Sequence, residues 1–272
     1  SQIINLIVGF FVGLSSGATV VISQYYGARD RENLSKALHT AFAFSLVGSV
    51  VITTVGLICS PILLRVMNTT EEVIGPSATY LRIYFGGILF VFIYNIGSSI
   101  LRAVGDSRRP LYYLIVCCII NIVLDIVLVV GLGMGVAGAA WATILSQFLS
   151  AVFSTVVGLR NFPILHLRRE DFHDLKDTAV LHLKTGFPMG FQMSVMCIGP
   201  LAMQAVVNSL GTAAVAGYTA ASKADQLSVL INNAMMTAIS NYVAQNFGAG
   251  KKDRIRLGVR ASLLQTEAFN LL

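Results

Sequence analysis

The sequence predicts an all-α, polytopic membrane protein, and three observations carry that prediction. Hydrophobic residues make up 55% of the chain, charged residues only 12%, and mean hydropathy is +0.74; a soluble domain carries about 25% charged residues. The apolar residues gather into eight runs, at 3–26, 38–64, 79–101, 111–131, 136–159, 185–209, 213–247 and 257–272. A helix of about 20 residues crosses the roughly 30 Å hydrocarbon core of a bilayer. The basic residues fall in every second connection, as they do when loops alternate between the two sides of a membrane.

Taken in order, 3–26 and 38–64 are uninterrupted apolar segments joined by a charged turn, and 79–101 is a third. The fourth, LYYLIVCCIINIVLDIVLVV at 111–130, is apolar except for Asn121 and Asp125. The fifth, 136–159, opens with Gly135-Val-Ala-Gly138-Ala-Ala140, small residues that let helices approach closely. Residues 161–184 are charged with interleaved Leu165, Leu167, Phe172 and Leu175, which predicts a linker with a short interfacial helix. The run 213–247 is long for one span and predicts a lead-in turn or a kink, with Lys223 and Asp225 near its outer part. The chain begins at Ser1 inside one apolar run and stops at Leu272 in another helical pattern, which predicts a fragment of a longer protein.

Loops 27–37, 102–110, 160–184 and 248–260 hold 16 of the 19 Lys and Arg, whereas 65–78 carries Glu71 and Glu72. The bias of Lys and Arg toward the inner side predicts that those four loops are cytoplasmic. It also accounts for the net charge of +6 without nucleic acid, whose binders gather charge on one folded face. Cys59, Cys117, Cys118 and Cys197 lie in apolar stretches without metal spacing and are read as buried hydrophobes. His39, His166, His173 and His182 match no zinc motif and are read as solvated.

Gln24-Tyr-Tyr-Gly27-Ala28 recurs 221 residues later as Gln245-Asn-Phe-Gly248-Ala249. Each copy closes an apolar segment and leads into charged residues. An even number of segments separates the copies, which keeps their orientation and predicts two parallel bundles of about six helices each.

An aspartate at the centre of a membrane helix costs about 2.5–3.5 kcal/mol on the insertion scale, and such residues mark ion, proton or substrate sites. Asn121 lies one turn before Asp125 on the same face. Asp125 is about 21 Å into its helix and Thr143 about 9 Å into the next, antiparallel one, so the two depths coincide. Asn121, Asp125 and Thr143 therefore offer a carbonyl, a carboxylate and a hydroxyl to one hard cation such as sodium, or the carboxyl carries a proton. Walker A, HExxH, GxSxG and dinucleotide patterns are absent, and no cluster of acids or histidines suits an interfacial enzyme.

The stretches Gln24-x-x-Gly27-Ala28, Leu101-Arg102-Ala103-x-Gly105-Asp106-x-x-x-Pro110, Asn121-Ile-x-Leu-Asp125 and Gly135-Val-x-Gly138-Ala-Ala-x-Ala142-Thr143 resemble multidrug and toxic compound extrusion (MATE) transporters. Gly186-Phe-Pro188-x-Gly190-x-Gln192 and Tyr218-x-Ala-Ala-Ser222-Lys223-x-Asp225 resemble its clostridial and bacillary branch. The resemblance implies a twelve-helix, two-bundle antiporter in the bacterial plasma membrane that exports organic, often cationic, compounds in exchange for sodium or protons. By position the chain would hold helices 2 to 9: an N-terminal bundle at 1–160, the linker at 161–184 and the start of the second bundle at 185–272. Asn121, Asp125 and Thr143 match polar residues of the first-bundle cation site. Tyr94, Asn95, Gln192, Ser194, Lys223 and Asp225 are read as cavity-lining. The expected partners are membrane lipid and a small organic substrate, with no cofactor beyond the coupling ion, and the protein is expected to be a monomer. A lipid-linked oligosaccharide flippase is the related alternative, but only Arg82 and Lys223 offer positive charge toward a cavity. A polytopic enzyme is disfavoured.

Overall fold

The computed structural model describes residues 2–66, 71–161 and 176–271. These form helices α1 (Gln2–Ala28), α2 (Arg31–Val66), α3 (Glu71–Gly86), α4 (Ile88–Ala103), α5 (Arg108–Asp125), a π-helical segment (Ile126–Gly131), α6 (Gly135–Asn161), α7 (Lys176–Ser209), α8 (Thr212–Gly248) and α9 (Lys252–Asn270). No strand occurs among the described residues. Among the described residues, Arg31–Ser60, Arg108–Gly131 and Gly135–Gly158 are each long and apolar enough to cross a bilayer, and Ile74–Gly86 with Ile88–Ala103, bent by 46° at their junction, are so together, as a broken span or a re-entrant loop. Large apolar side chains such as Ile115, Ile119, Ile122 and Ile126 are more than half or nearly half exposed along one helix, a surface suited to lipid rather than water.

The chain divides into two compact units, residues 38–175 and residues 1–37 with 176–272. This grouping differs from the expected boundary at 160, because α1 packs on α7 and α8. The glycines explain why. Gly13 lies against the backbone of Met189 and Gly190, and Gly17 against that of Thr185 and Gly186. With no side chain on either partner the two helices come to backbone contact.

In the other unit α4 and α6 run parallel, with Gly87 against Ile144 and Gly97 against Ser154. The Phe90 and Phe148 rings meet edge to face at 5.0 Å. α5 runs antiparallel to α6: Cys117 Sγ donates to the Ser146 carbonyl at 3.1 Å, and a β-carbon on Gly138 would lie 3.1 Å from the Leu128 carbonyl.

Short links follow from local chemistry. Gly105 takes φ +92°, ending α4, and Asp106 accepts from the Arg109 amide at 3.2 Å, starting α5. The two copies of the Gln-x-x-Gly-Ala repeat end in the same turn. Asp30 N donates to Tyr25 O (3.1 Å) as Lys251 N does to Asn246 O (2.8 Å). Arg29 N donates to Tyr26 O (3.1 Å) as Gly250 N does to Phe247 O (3.0 Å). Arg29 and Gly250 occupy the same left-handed position, at φ 58° and 70°.

Several expectations change. The run 79–101 is broken at Gly87 by a bend of 46°. The run 213–247 lies within one continuous helix of 37 residues, Thr212–Gly248, with no separate lead-in turn. Helices begin before the apolar runs do, α2 at Arg31 and α7 at Lys176. His39 and His182 therefore sit inside helices, and both are buried rather than solvated. His166, His173 and the linker helix lie outside the described residues. Cys117 is buried but Cys118 is exposed, since adjacent helical residues point to different faces.

Candidate functional site: polar residues between two helices

Asp125 is the last residue of α5, and the π-helical segment begins at the next residue. Single π turns are frequent at functional positions because they shift the register of everything beyond them. Cys117 and Leu128 both touch α6, and Asn121 and Asp125 lie between them at helical spacing, so the face bearing them is the one turned to α6. The remaining faces of α5 are exposed. Asp125 Oδ1 is buried and has no hydrogen-bond partner among the described residues.

Thr143 Oγ1 donates to the Ala139 carbonyl at 2.9 Å. Its proton is used within α6, and its oxygen lone pairs remain free to accept or to coordinate. The register set by Cys117–Ser146 and Leu128–Gly138 puts Thr143 level with Asn121, and Asp125 about one turn further along. The depth argument had put Thr143 level with Asp125. The wider π turn is one reason a uniform rise misplaces residues here. Gln147, one turn from Thr143 on α6, was missed: its Oε1 is buried and without a partner among the described residues. The spacing of four from Thr143 was the available signal.

The other expected residues are placed as follows. Tyr94 Oη donates to the Pro110 carbonyl at 3.3 Å, bridging α4 and α5. Asn95 Nδ2 donates to Val91 O at 2.8 Å, within its own helix. Gln192 on α7 and Lys223 and Asp225 on α8 are exposed, and Ser194 is half-buried. These four belong to the unit that contains α7 and α8, the other two to the unit that contains α4.

A chain with this helical architecture falls in the class of polytopic membrane proteins. The MatE family profile matches residues 1–127 and 188–270, and the chain belongs to that family. It is 35% identical to the probable multidrug resistance protein YpnP of Bacillus subtilis, over 94% of this chain and 57% of that protein. It is 28% identical to the probable multidrug resistance protein NorM of Thermotoga maritima, over 95% of this chain and 56% of that one. Among solved structures, MATE in the straight conformation superposes with a TM-score of 0.88 at 23% identity, covering 99% of this chain and 60% of that chain. The chain thus spans less than two thirds of the relatives it matches, and it has the fold of MATE transporters, which are multi-pass membrane proteins and not enzymes.

Proposed function

We propose that the complete protein is a cation-coupled antiporter that exports organic, mainly cationic, compounds by alternating access, acting as a monomer in the bacterial plasma membrane. Loops 27–37, 102–110, 160–184 and 248–260 face the cytoplasm in this reading, from their Lys and Arg excess. The observation that carries it is the buried Oδ1 of Asp125, on the face turned to α6 and without a partner among the described residues. A carboxylate oxygen is the kind of ligand a hard cation takes, and an acid within a membrane span is the kind of group that ion and proton pathways use. Asn121 and Thr143 supply further oxygens of the kind a hard ion prefers. The two uses of the carboxyl compete, which is the requirement for exchange. The relatives YpnP and NorM are named probable multidrug resistance proteins, which supports an organic substrate.

One charge moved down about 100 mV supplies about 2.3 kcal/mol, enough for roughly a fifty-fold substrate gradient in one-for-one electrogenic exchange. Asp125→Asn keeps the side-chain volume and removes the ionisable group. In the full-length protein it is expected to abolish gradient-driven efflux while leaving expression and membrane insertion near normal. Wild-type efflux with unchanged ion dependence in that variant would refute the assignment.

A further inference from the structure

The outer edge of the seam between α5 and α6 is apolar along its length and basic at one end. Tyr113 and Phe153 stack across the seam, with ring centroids 6.5 Å apart. Beside Tyr113, on the side of α5 away from Pro110 and its α4 partner Tyr94, runs the row Arg109, Tyr112, Val116 and Ile119. Tyr112, Val116 and Ile119 are exposed. On α6 the row Val152, Val156 and Arg160 is exposed at spacings of four and runs beside Phe153. Each row of exposed apolar side chains therefore ends in an arginine.

The two ends meet. Arg109 is one turn before Tyr113 on the same side of α5, about 6 Å along the axis. Arg160 is seven residues after Phe153 on the same side of α6, about 10 Å along an axis running the opposite way. The two residues thus stand on neighbouring edges of the seam, at levels within about 5 Å of each other. Arg108 adjoins them and is exposed. Asp106 is the one acid at this end of α4, α5 and α6 among the described residues. Its carboxylate caps the Arg109 amide and receives the Arg109 Nε–H at 3.2 Å, which holds that side chain over the first turn of α5. Three guanidinium groups against one carboxylate leave an excess of positive charge.

Depth selects the occupant. The apolar spans Arg108–Gly131 and Gly135–Gly158 start and stop at this level, so the arginines sit where lipid headgroups lie and the rows sit among acyl chains. Tyr112 is an aromatic ring at that boundary, a usual place for tyrosine. Guanidinium forks match phosphate oxygens in pairs. A phosphate whose headgroup also carries a cation would leave the excess charge unmet, whereas a net-anionic headgroup matches it. A free anion would use the arginines but not the apolar rows beneath them.

We propose that the α5–α6 seam binds an anionic phospholipid, its phosphate held by Arg108, Arg109 and Arg160 and an acyl chain lying along Val116, Ile119, Val152 and Val156. The lipid would bridge the outer edges of the two helices that carry Asn121, Asp125 and Thr143. The proposal stands whether or not those residues bind a cation.

The test uses the full-length protein in neutral detergent, with bound lipids counted by native mass spectrometry. Dioleoylphosphatidylglycerol should bind about tenfold more tightly than dioleoylphosphatidylcholine, which has the same chains. Arg108→Gln/Arg160→Gln should reduce that preference to about twofold. This variant spares the Asp106–Arg109 pair and alters two exposed side chains, so its melting temperature in phosphatidylcholine should match wild type. Arg108→Lys/Arg160→Lys, which keeps the charge, should retain most of the preference. Lys251→Gln/Lys252→Gln/Arg254→Gln, an equal or greater loss of charge elsewhere, should leave it intact. An unchanged preference in Arg108→Gln/Arg160→Gln overturns the proposal, as does an equal loss in the Lys251 triple variant. Displacement of the lipid by glycerol phosphate at the same concentration would make the corner a free-anion site and also overturn it. So would a preference absent from wild type that emerges in Glu170→Gln/Asp171→Asn/Asp174→Asn, since the linker's own acids would then be the occupant.

Discussion

Gly27 rests against the main chain of Gln245, and the contact is reciprocated: Gly248 rests in the same way against Gln24. A β-carbon at Gly27 would lie 2.9 Å from the Gln245 Cα, and one at Gly248 would lie 3.0 Å from the Gln24 Cα. The two ends of the repeat thus pack on each other, each supplying the glycine that the other's glutamine requires. The C-terminal ends of α1 and α8 consequently lie at one face.

Gly27→Ala and Gly248→Ala each force a methyl into backbone, which cannot move aside as a flexible side chain does. Overpacking of this kind costs about 1–3 kcal/mol, so both variants should melt below wild type in detergent. Gly217→Ala, also in α8 but with open space around it, should melt at or above wild type, since alanine is the better helix former by about 1 kcal/mol.

The left-handed turn makes a second comparison within one chain. Gly250→Ala should destabilise by about 1–2 kcal/mol, the cost of a β-carbon in that conformation. Arg29→Gly, at the matching position, should relieve part of such a cost. Thermal melts of the two variants should therefore shift in opposite directions.

Thr143→Val removes one neutral oxygen and keeps the shape. Sodium dependence of transport by the full-length protein should weaken, with a milder loss than in Asp125→Asn. Equal losses in the two would place the threonine at the centre of the site rather than at its margin.

His182 supplies a pH signature. Burial holds its imidazole below the ordinary value, partly offset by the hydrogen bond from Nδ1 to the Thr178 carbonyl at 2.8 Å. A folded-state pKa below the unfolded one means that the unfolded chain takes up the proton first. Stability is then undiminished above about pH 6.5 and declines as the pH falls from there to the folded-state pKa. Melting curves from neutral to mildly acidic pH should show a smaller decline in His182→Phe than in wild type.

Sidedness is checked by labelling, in a background freed of native cysteines. A cysteine at Glu71 should react with an impermeant thiol reagent on intact cells. One at Arg108 should react only after the membrane is opened. The reverse pattern would invert the topology.

Hydropathy located the helices because it measures the property that lipid selects, and the repeat and the Asn121–Asp125 face were legible as spacing. What escaped is set by three-dimensional context. The break at Gly87 depends on the neighbour it fits, Ile144. The π turn after Asp125 lies in Ile126–Gly131, a run with the composition of any membrane helix. His182 looked like a loop residue because α7 outruns its apolar core by about two turns, and His39 looked solvated because it stands at the very start of its apolar run. The buried hydroxyls of Ser150 and Ser154 on α6 were hidden because serines in an apolar run read as small residues until they are found without a partner among the described residues.

The span Arg108–Gly131 has 24 residues, about 36 Å at helical rise against a hydrocarbon core of about 30 Å. Among the described residues, protein touches it mainly along the strip through Pro110, Tyr113, Cys117 and Leu128, which leaves leaning within the lipid as one way to absorb the surplus length. Thickness of the surrounding membrane then becomes a variable of the site itself. A thinner bilayer tips the helix further and a thicker one straightens it, carrying the carboxyl of Asp125 to a different depth. Lipid chain length should tune this protein's exchange without altering a single residue.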